Sequence, residues 1–88
     1  MKTISILGWR HDHMKYELEN IEQLGHLIRT HRKRAGLNQT DLAEMAGVGK
    51  TLIFDLEKGH KKVSLEKLMA ILKVLNIKLY LLPPSSGS

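Results

Sequence analysis

The segment from Gly36 to Gly59, GLNQTDLAEMAGVGKTLIFDLEKG, reads as two short helices set around a turn at Gly47. Asn38 carries the side chain an N-cap needs, and Asp41 suits the positive end of the helix it opens. Leu42, Ala43 and Ala46 fall on one face, and Gly47 ends the run where a left-handed residue costs least. Gly49 opens the second helix, with Leu52, Ile53 and Leu56 as its inner side and Gly59 as its stop. Helices of about eight residues are unstable in isolation. The pair can therefore exist only when packed against further helices, and the flanking sequence has to supply them.

It does. Asn20 with Gln23 forms a capping box ahead of Ile21, Leu24, Leu27 and Ile28, an apolar stripe at helical spacing that runs to Gly36. His26 and His31 on this helix are expected at the surface. Ser64 caps a fourth helix whose Leu65, Leu68, Met69, Ile71, Leu72 and Leu75 predict a broad buried face, with Asn76 as its stop. Ile77 to Leu82 then alternates in part, with β-branched and aromatic members, and Pro83-Pro84 ends it. A lone strand leaves backbone groups unpaired. Its natural partner is the same strand of a second subunit, through Ile77, Leu79, Tyr80 and Leu81; a short strand or arm at Thr3–Leu7 is the rival. The expected organisation is an N-terminal arm over residues 1–19, a helical domain over 20–76, a dimerisation strand over 77–82 and a flexible tail over 83–88. Met14 offers a second start, which sets residues 1–13 apart.

Eighty-eight residues allow one small domain with a thin core, for which burial in an oligomer is a fair expectation. Cysteine is absent, so no disulfide or thiolate metal site contributes, in keeping with a reducing cytoplasm. No apolar run approaches the ~20 residues that span a bilayer. The opening residues start like a signal peptide, but Trp9-Arg10-His11-Asp12-His13 interrupts them. The expected location is cytoplasmic and nucleoid-associated. The net charge of +5 is ordinary; its placement is not. From His26 to Lys62, Arg29, Arg32, Lys33, Arg34, Lys50, Lys58, Lys61 and Lys62 outnumber Asp41, Glu44, Asp55 and Glu57. From Asp12 to Glu22 the balance is acidic. The cations gather around the two short helices, the arrangement expected where one helix enters a DNA groove.

Leu37-Asn38-Gln39-Thr40-Asp41-Leu42-Ala43, Gly47-Val48, Ile53, Leu56-Glu57 and Gly59 resemble the Cro/C1-type (XRE-like) helix-turn-helix repressors. The resemblance implies an all-α, four- to five-helix lambda-repressor-like domain. With the C-terminal strand, it is similar more narrowly to HipB-type antitoxins, whose strand pairs across a dimer. That implies a homodimeric autorepressor on a palindromic double-stranded operator, and a HipA-like serine/threonine kinase toxin as partner. At the first turn of helix two, the helix N-terminus and the Gln39 amide favour a phosphate oxygen; Asn38 is a cap that can also touch phosphate. Lys50 and Thr51 lead helix three, suited to guanine or phosphate and to a base edge or thymine methyl. Phe54 either presses on a thymine methyl or packs against a neighbouring side chain or a partner protein; Asp55 either accepts from cytosine or selects against sites. Gly49 departs from the family's Ser or Thr, so any phosphate contact there is through backbone N–H. Lys58, His60, Lys61 and Lys62 follow helix three, where the family's loop runs beside phosphates, although a solvated turn would read the same. The resemblance gives Arg32 and Glu57 a structural ion pair rather than a DNA contact.

Enzymatic readings fare poorly. Gly47-Val48-Gly49-Lys50-Thr51 mimics a P-loop, yet Glu44 stands where the motif needs its first glycine. His11 and His13 lack companions for a metal site, and no cofactor is expected. Two rivals remain: a free-standing phage-like repressor with no toxin, and a protein-interaction adaptor that has lost DNA binding.

Overall fold

In the computed structural model the described residues are 5–9, 15–60 and 62–82, with side chains described over 18–60 and 62–80. The chain runs β1 (Ser5–Trp9), β2 (Lys15–Leu18), α1 (Ile21–Arg34), α2 (Gln39–Ala46), α3 (Lys50–Glu57), α4 (Leu65–Val74) and β3 (Lys78–Leu82).

The capping chemistry fixes the helix boundaries. The Asn20 side chain accepts from the Gln23 N–H, and that of Ser64 from the Lys67 N–H. At α2 the box is reciprocal: Asn38 accepts from the Asp41 N–H at 2.7 Å, and Asp41 accepts from the Asn38 N–H at 3.0 Å. All four helices end alike. Gly36, Gly47, Gly59 and Asn76 have positive φ, and the next N–H reaches back to a carbonyl five residues earlier: Leu37 to Arg32, Val48 to Ala43, His60 to Asp55, Ile77 to Leu72. This closure satisfies carbonyls the last turn would otherwise orphan. Asparagine tolerates the conformation at position 76 better than most side chains.

The core forms where α1 and α2 pack on α3 and α2 packs on α4. Ile28, Leu42, Ile53, Leu56 and Ile71 are fully enclosed. Leu24, Leu27, Ala43, Leu72, Leu75 and Ile77 complete it. Two expectations are corrected. His31 is buried, at 3% exposure: it lies seven residues after Leu24 and three after Ile28, on the stripe that α1 turns inward. Leu65 and Met69 on α4 are exposed, at 56% and 54%, because the helix turns inward only the side that carries Ile71 and Leu72.

The two chain ends make a three-stranded antiparallel sheet in the order β2-β1-β3. Gly8 sits opposite Tyr16 on one side and Leu79 on the other; Ile6 sits opposite Leu18 and Leu81. The sequence favoured a second subunit as partner for the C-terminal strand. Within this chain the N-terminal rival takes that place over Ser5–Trp9, and β3 is left as an edge strand. Packing of β3 on α4 and of β2 on α1 joins sheet to helices. Thr3 and the tail 83–88 lie outside the described residues, as do His11, His13 and Met14. Among the described residues no helix is long and apolar enough to cross a membrane, and no group of three potential metal ligands occurs.

Candidate nucleic-acid interface

α3 is oriented by its buried side. Ile53 and Leu56 are enclosed and Leu52 is half-buried, so the opposite face points to solvent. At 3.6 residues per turn that face carries Lys50, Thr51, Phe54 and Lys58 within about 100° of arc. All four are exposed. Gly49 precedes them as an N-cap with no side-chain bond to the helix; the Leu52 N–H donates to the Gly49 carbonyl at 3.1 Å, and the N–H groups before it have no side-chain cap. Lys58 lies one turn beyond Phe54 and holds its ammonium 4.3 Å from the ring centroid, so the two side chains act as one unit. Asp55 is half-buried beside them.

A polar clamp sets the position of α3. Arg32 donates from Nε to Glu57 Oε2 at 2.6 Å and from Nη2 to Oε1 at 2.9 Å. Its Nη1 donates to the Leu37 carbonyl at 2.9 Å, and Gln39 Nε2 donates to Glu57 Oε1 at 3.2 Å. The two charged side chains are only 10% and 4% exposed. The guanidinium thus joins α1, the α1–α2 loop and the last residue of α3, and the Glu57 carboxylate adds the first residue of α2. A planar fork can do this and an ammonium cannot. The hydrogen bonds to Glu57 raise the Arg32 pKa above its ordinary value, against an opposing effect of burial.

The geometry brings the sequence-derived residues into two groups. Asn38 and Gln39 stand at the N-terminus of α2, with Asn38 exposed and Gln39 half-buried on Glu57. Gly49, Lys50, Thr51, Phe54 and Lys58 form the open side of α3, and His60 and Lys62 are exposed in the loop after it. Lys61 lies outside the described residues, as does the side chain of Leu81. Ile77 is in the core, Leu79 is half-buried and Tyr80 is exposed at the sheet. Three features were missed from sequence: the Gln39–Glu57 bond, the Phe54–Lys58 pair and the role of Gly25. The second was legible as an aromatic and a cation four apart on one helix. Gly25 is buried inside α1 against the backbone of Leu56 and Glu57. A glycine inside an otherwise good helical pattern was its only signal.

A helix-turn-helix family model, HTH_3, matches residues 28–82. The chain is 34% identical over 71 residues to an HTH-type transcriptional regulator, y4mF, of Sinorhizobium fredii, spanning 81% of this chain and 93% of that protein. Among solved structures it resembles the restriction-modification controller protein C.AhdI from Aeromonas hydrophila, with a TM-score of 0.63 and 28% identity over 66% of this chain and 88% of that one. It also resembles the clp gene regulator ClgR from C. glutamicum, with a TM-score of 0.61 and 33% identity over 68% and 77% of the two chains. These are regulators and not enzymes. With α2 and α3 as its motif, the chain belongs to the HTH_3 helix-turn-helix family, of the XRE-like type of DNA-binding transcriptional regulator.

Proposed function

We propose that this protein is a sequence-specific repressor that binds a palindromic operator as a homodimer, with α3 as the helix that enters the major groove. The observation that carries the reading is the open face of α3, with Lys50 and Thr51 at its leading turn, fixed from behind by the Arg32–Glu57 clamp. Lys50 and Thr51 read base edges. The N-terminus of α2 takes a phosphate: Gln39 has a second amide hydrogen beyond the one given to Glu57, and the helix end adds backbone donors. Lys58, His60 and Lys62 follow the backbone of the same half-site. Asp55 penalises sites that bring a phosphate or guanine too near.

Two copies join through β3. β1 occupies one edge of that strand, and among the described residues no further strand lies beside it in the sheet. An antiparallel β3–β3 ladder is isologous and gives the two-fold axis a palindrome needs. Half-site centres then lie about 34–36 Å apart, or a multiple of that. The C-terminal strand also supports the narrower reading, an antitoxin that autorepresses its operon and binds a HipA-like kinase toxin. A second reading, a regulator with no toxin, is supported by structural neighbours that are a controller protein and a gene regulator. A kinase-like gene beside this one, and a complex between the two products, decide for the antitoxin.

The test is footprinting and gel-shift titration on DNA upstream of the gene. The expected result is one salt-sensitive, two-fold symmetric protected site. Lys50→Ala and Thr51→Ala should each cost about 1–3 kcal/mol of preference for that site over random DNA, with melting temperatures near the unmutated value. Lys58→Ala and Lys62→Ala should weaken all DNA alike and flatten log K against log salt by about 0.9 for each phosphate no longer neutralised. Absence of any salt-sensitive specific complex supports the adaptor reading instead.

A further inference from the structure

We infer that Phe54 is a specificity residue that reads the C5-methyl group of a thymine in each half-site. The inference rests on α3 being the helix that enters the groove, and it assigns the base chemistry of that helix's second turn. Phe54 is 43% exposed and lies on the side of α3 that carries Lys50 and Thr51. It is not among the side chains packed on the core. Lys58 holds its ammonium over the ring, 4.3 Å from the centroid, which restrains the ring.

The chemistry of the groove then narrows the contact. A phenyl ring neither donates nor accepts a conventional hydrogen bond. The major-groove base edges are donors and acceptors apart from the thymine methyl and the much smaller C5–H of cytosine, and of these only the methyl offers a sizeable apolar surface. A ring brought there against N7, O6, O4 or an exocyclic amine would desolvate them without return. Against the methyl it gains apolar burial. The Lys58 ammonium, carried over the ring, brings a cation to the same part of the groove wall.

The test uses the footprinted operator. Each thymine is replaced in turn by deoxyuridine, which removes the methyl and leaves every hydrogen-bonding group in place. At one thymine per half-site the full-length wild-type protein should bind about fourfold more weakly, the worth of one buried methyl, and about fifteenfold more weakly when both half-sites are changed. Phe54→Ala should fold with nearly unchanged melting temperature, since the position is exposed. It should bind the thymine and deoxyuridine operators equally well. Specific binding with no deoxyuridine effect at any position overturns the assignment while leaving the repressor reading intact. So does a deoxyuridine effect that persists undiminished in Phe54→Ala, which would give the methyl to Thr51. Failure to form a specific complex on any DNA overturns both.

Discussion

Arg32→Ala should destabilise the domain by about 3–5 kcal/mol, the range for removing one partner of a buried ion pair. That is a large share of the roughly 4–13 kcal/mol that a chain of this length commands. The cost is the stranding of several groups at once: the Glu57 carboxylate at 4% exposure loses both its charge partner and two hydrogen bonds, and the Leu37 carbonyl loses its donor. Thermal or urea unfolding followed by circular dichroism reads the effect. Arg32→Lys should recover little of it, because one ammonium cannot span Glu57 and Leu37 in the same geometry. Replacing both members with methionine should recover more, since no buried charge remains, although Leu37 and Gln39 stay without their present partners. A folded-state pKa raised above the unfolded one means that stability is complete below the arginine range and is lost only as pH rises through the elevated value. On the arginine side, then, the clamp does not titrate at any pH where operator binding is measured. Loss of DNA binding in Arg32→Ala would accompany loss of folding. That separates it from Lys50→Ala, where preference should fall while the melt stays in place.

The parts of this molecule that local chemistry writes were legible in the sequence. Asn20, Asn38 and Ser64 start helices because each side chain bonds an N–H three residues on, and glycine or asparagine stops them because the closing bond needs positive φ. The open face of α3 was likewise legible, since enclosing Ile53 and Leu56 fixes the other side. Non-local choices were less so. α4 carries apolar residues over a wide arc, and nothing in their spacing says that only part of it is buried, leaving Leu65 and Met69 outside. The polarity of His31 points to the surface, whereas its position on the Leu24–Ile28 stripe buries it. The strand at 78–82 was visible, but an alternating segment specifies a face to bury and not which chain will pair with it. At the site, the cationic and aromatic residues could be placed on one face by counting. The bond between Gln39 and Glu57 could not, because it depends on the distance at which α2 crosses the end of α3.

The approach of α1 to α3 depends on Gly25, and Gly25→Ala should be the most damaging single-methyl change in the domain. A β-carbon at this position would overlap the Leu56 carbonyl oxygen and lie 3.1 Å from its carbonyl carbon and 3.2 Å from that of Glu57. All three obstacles are backbone, so no rotamer change relieves them, and α1 must move away from α3. Alanine gains about 1 kcal/mol over glycine as a helix former. Overpacking of a tight contact costs about 1–3 kcal/mol and more where backbone must shift. Because the neighbours are main-chain atoms the second effect should win, with a net loss of about 2 kcal/mol or more. Glu44→Ala, at an exposed site on α2, supplies the scale of a neutral change, within about 0.5 kcal/mol. The displacement should also reach function. Arg32 lies two turns along α1 from Gly25, and Glu57 follows the obstructing Leu56, so separating the helices stretches the clamp that sets α3. Gly25→Ala protein that is still folded at low temperature should therefore bind its operator more weakly than its stability alone accounts for. A variant as stable as the unmutated chain would mean that α1 and α3 do not approach as closely as described, and the rigid mounting of the reading helix would have to come from elsewhere.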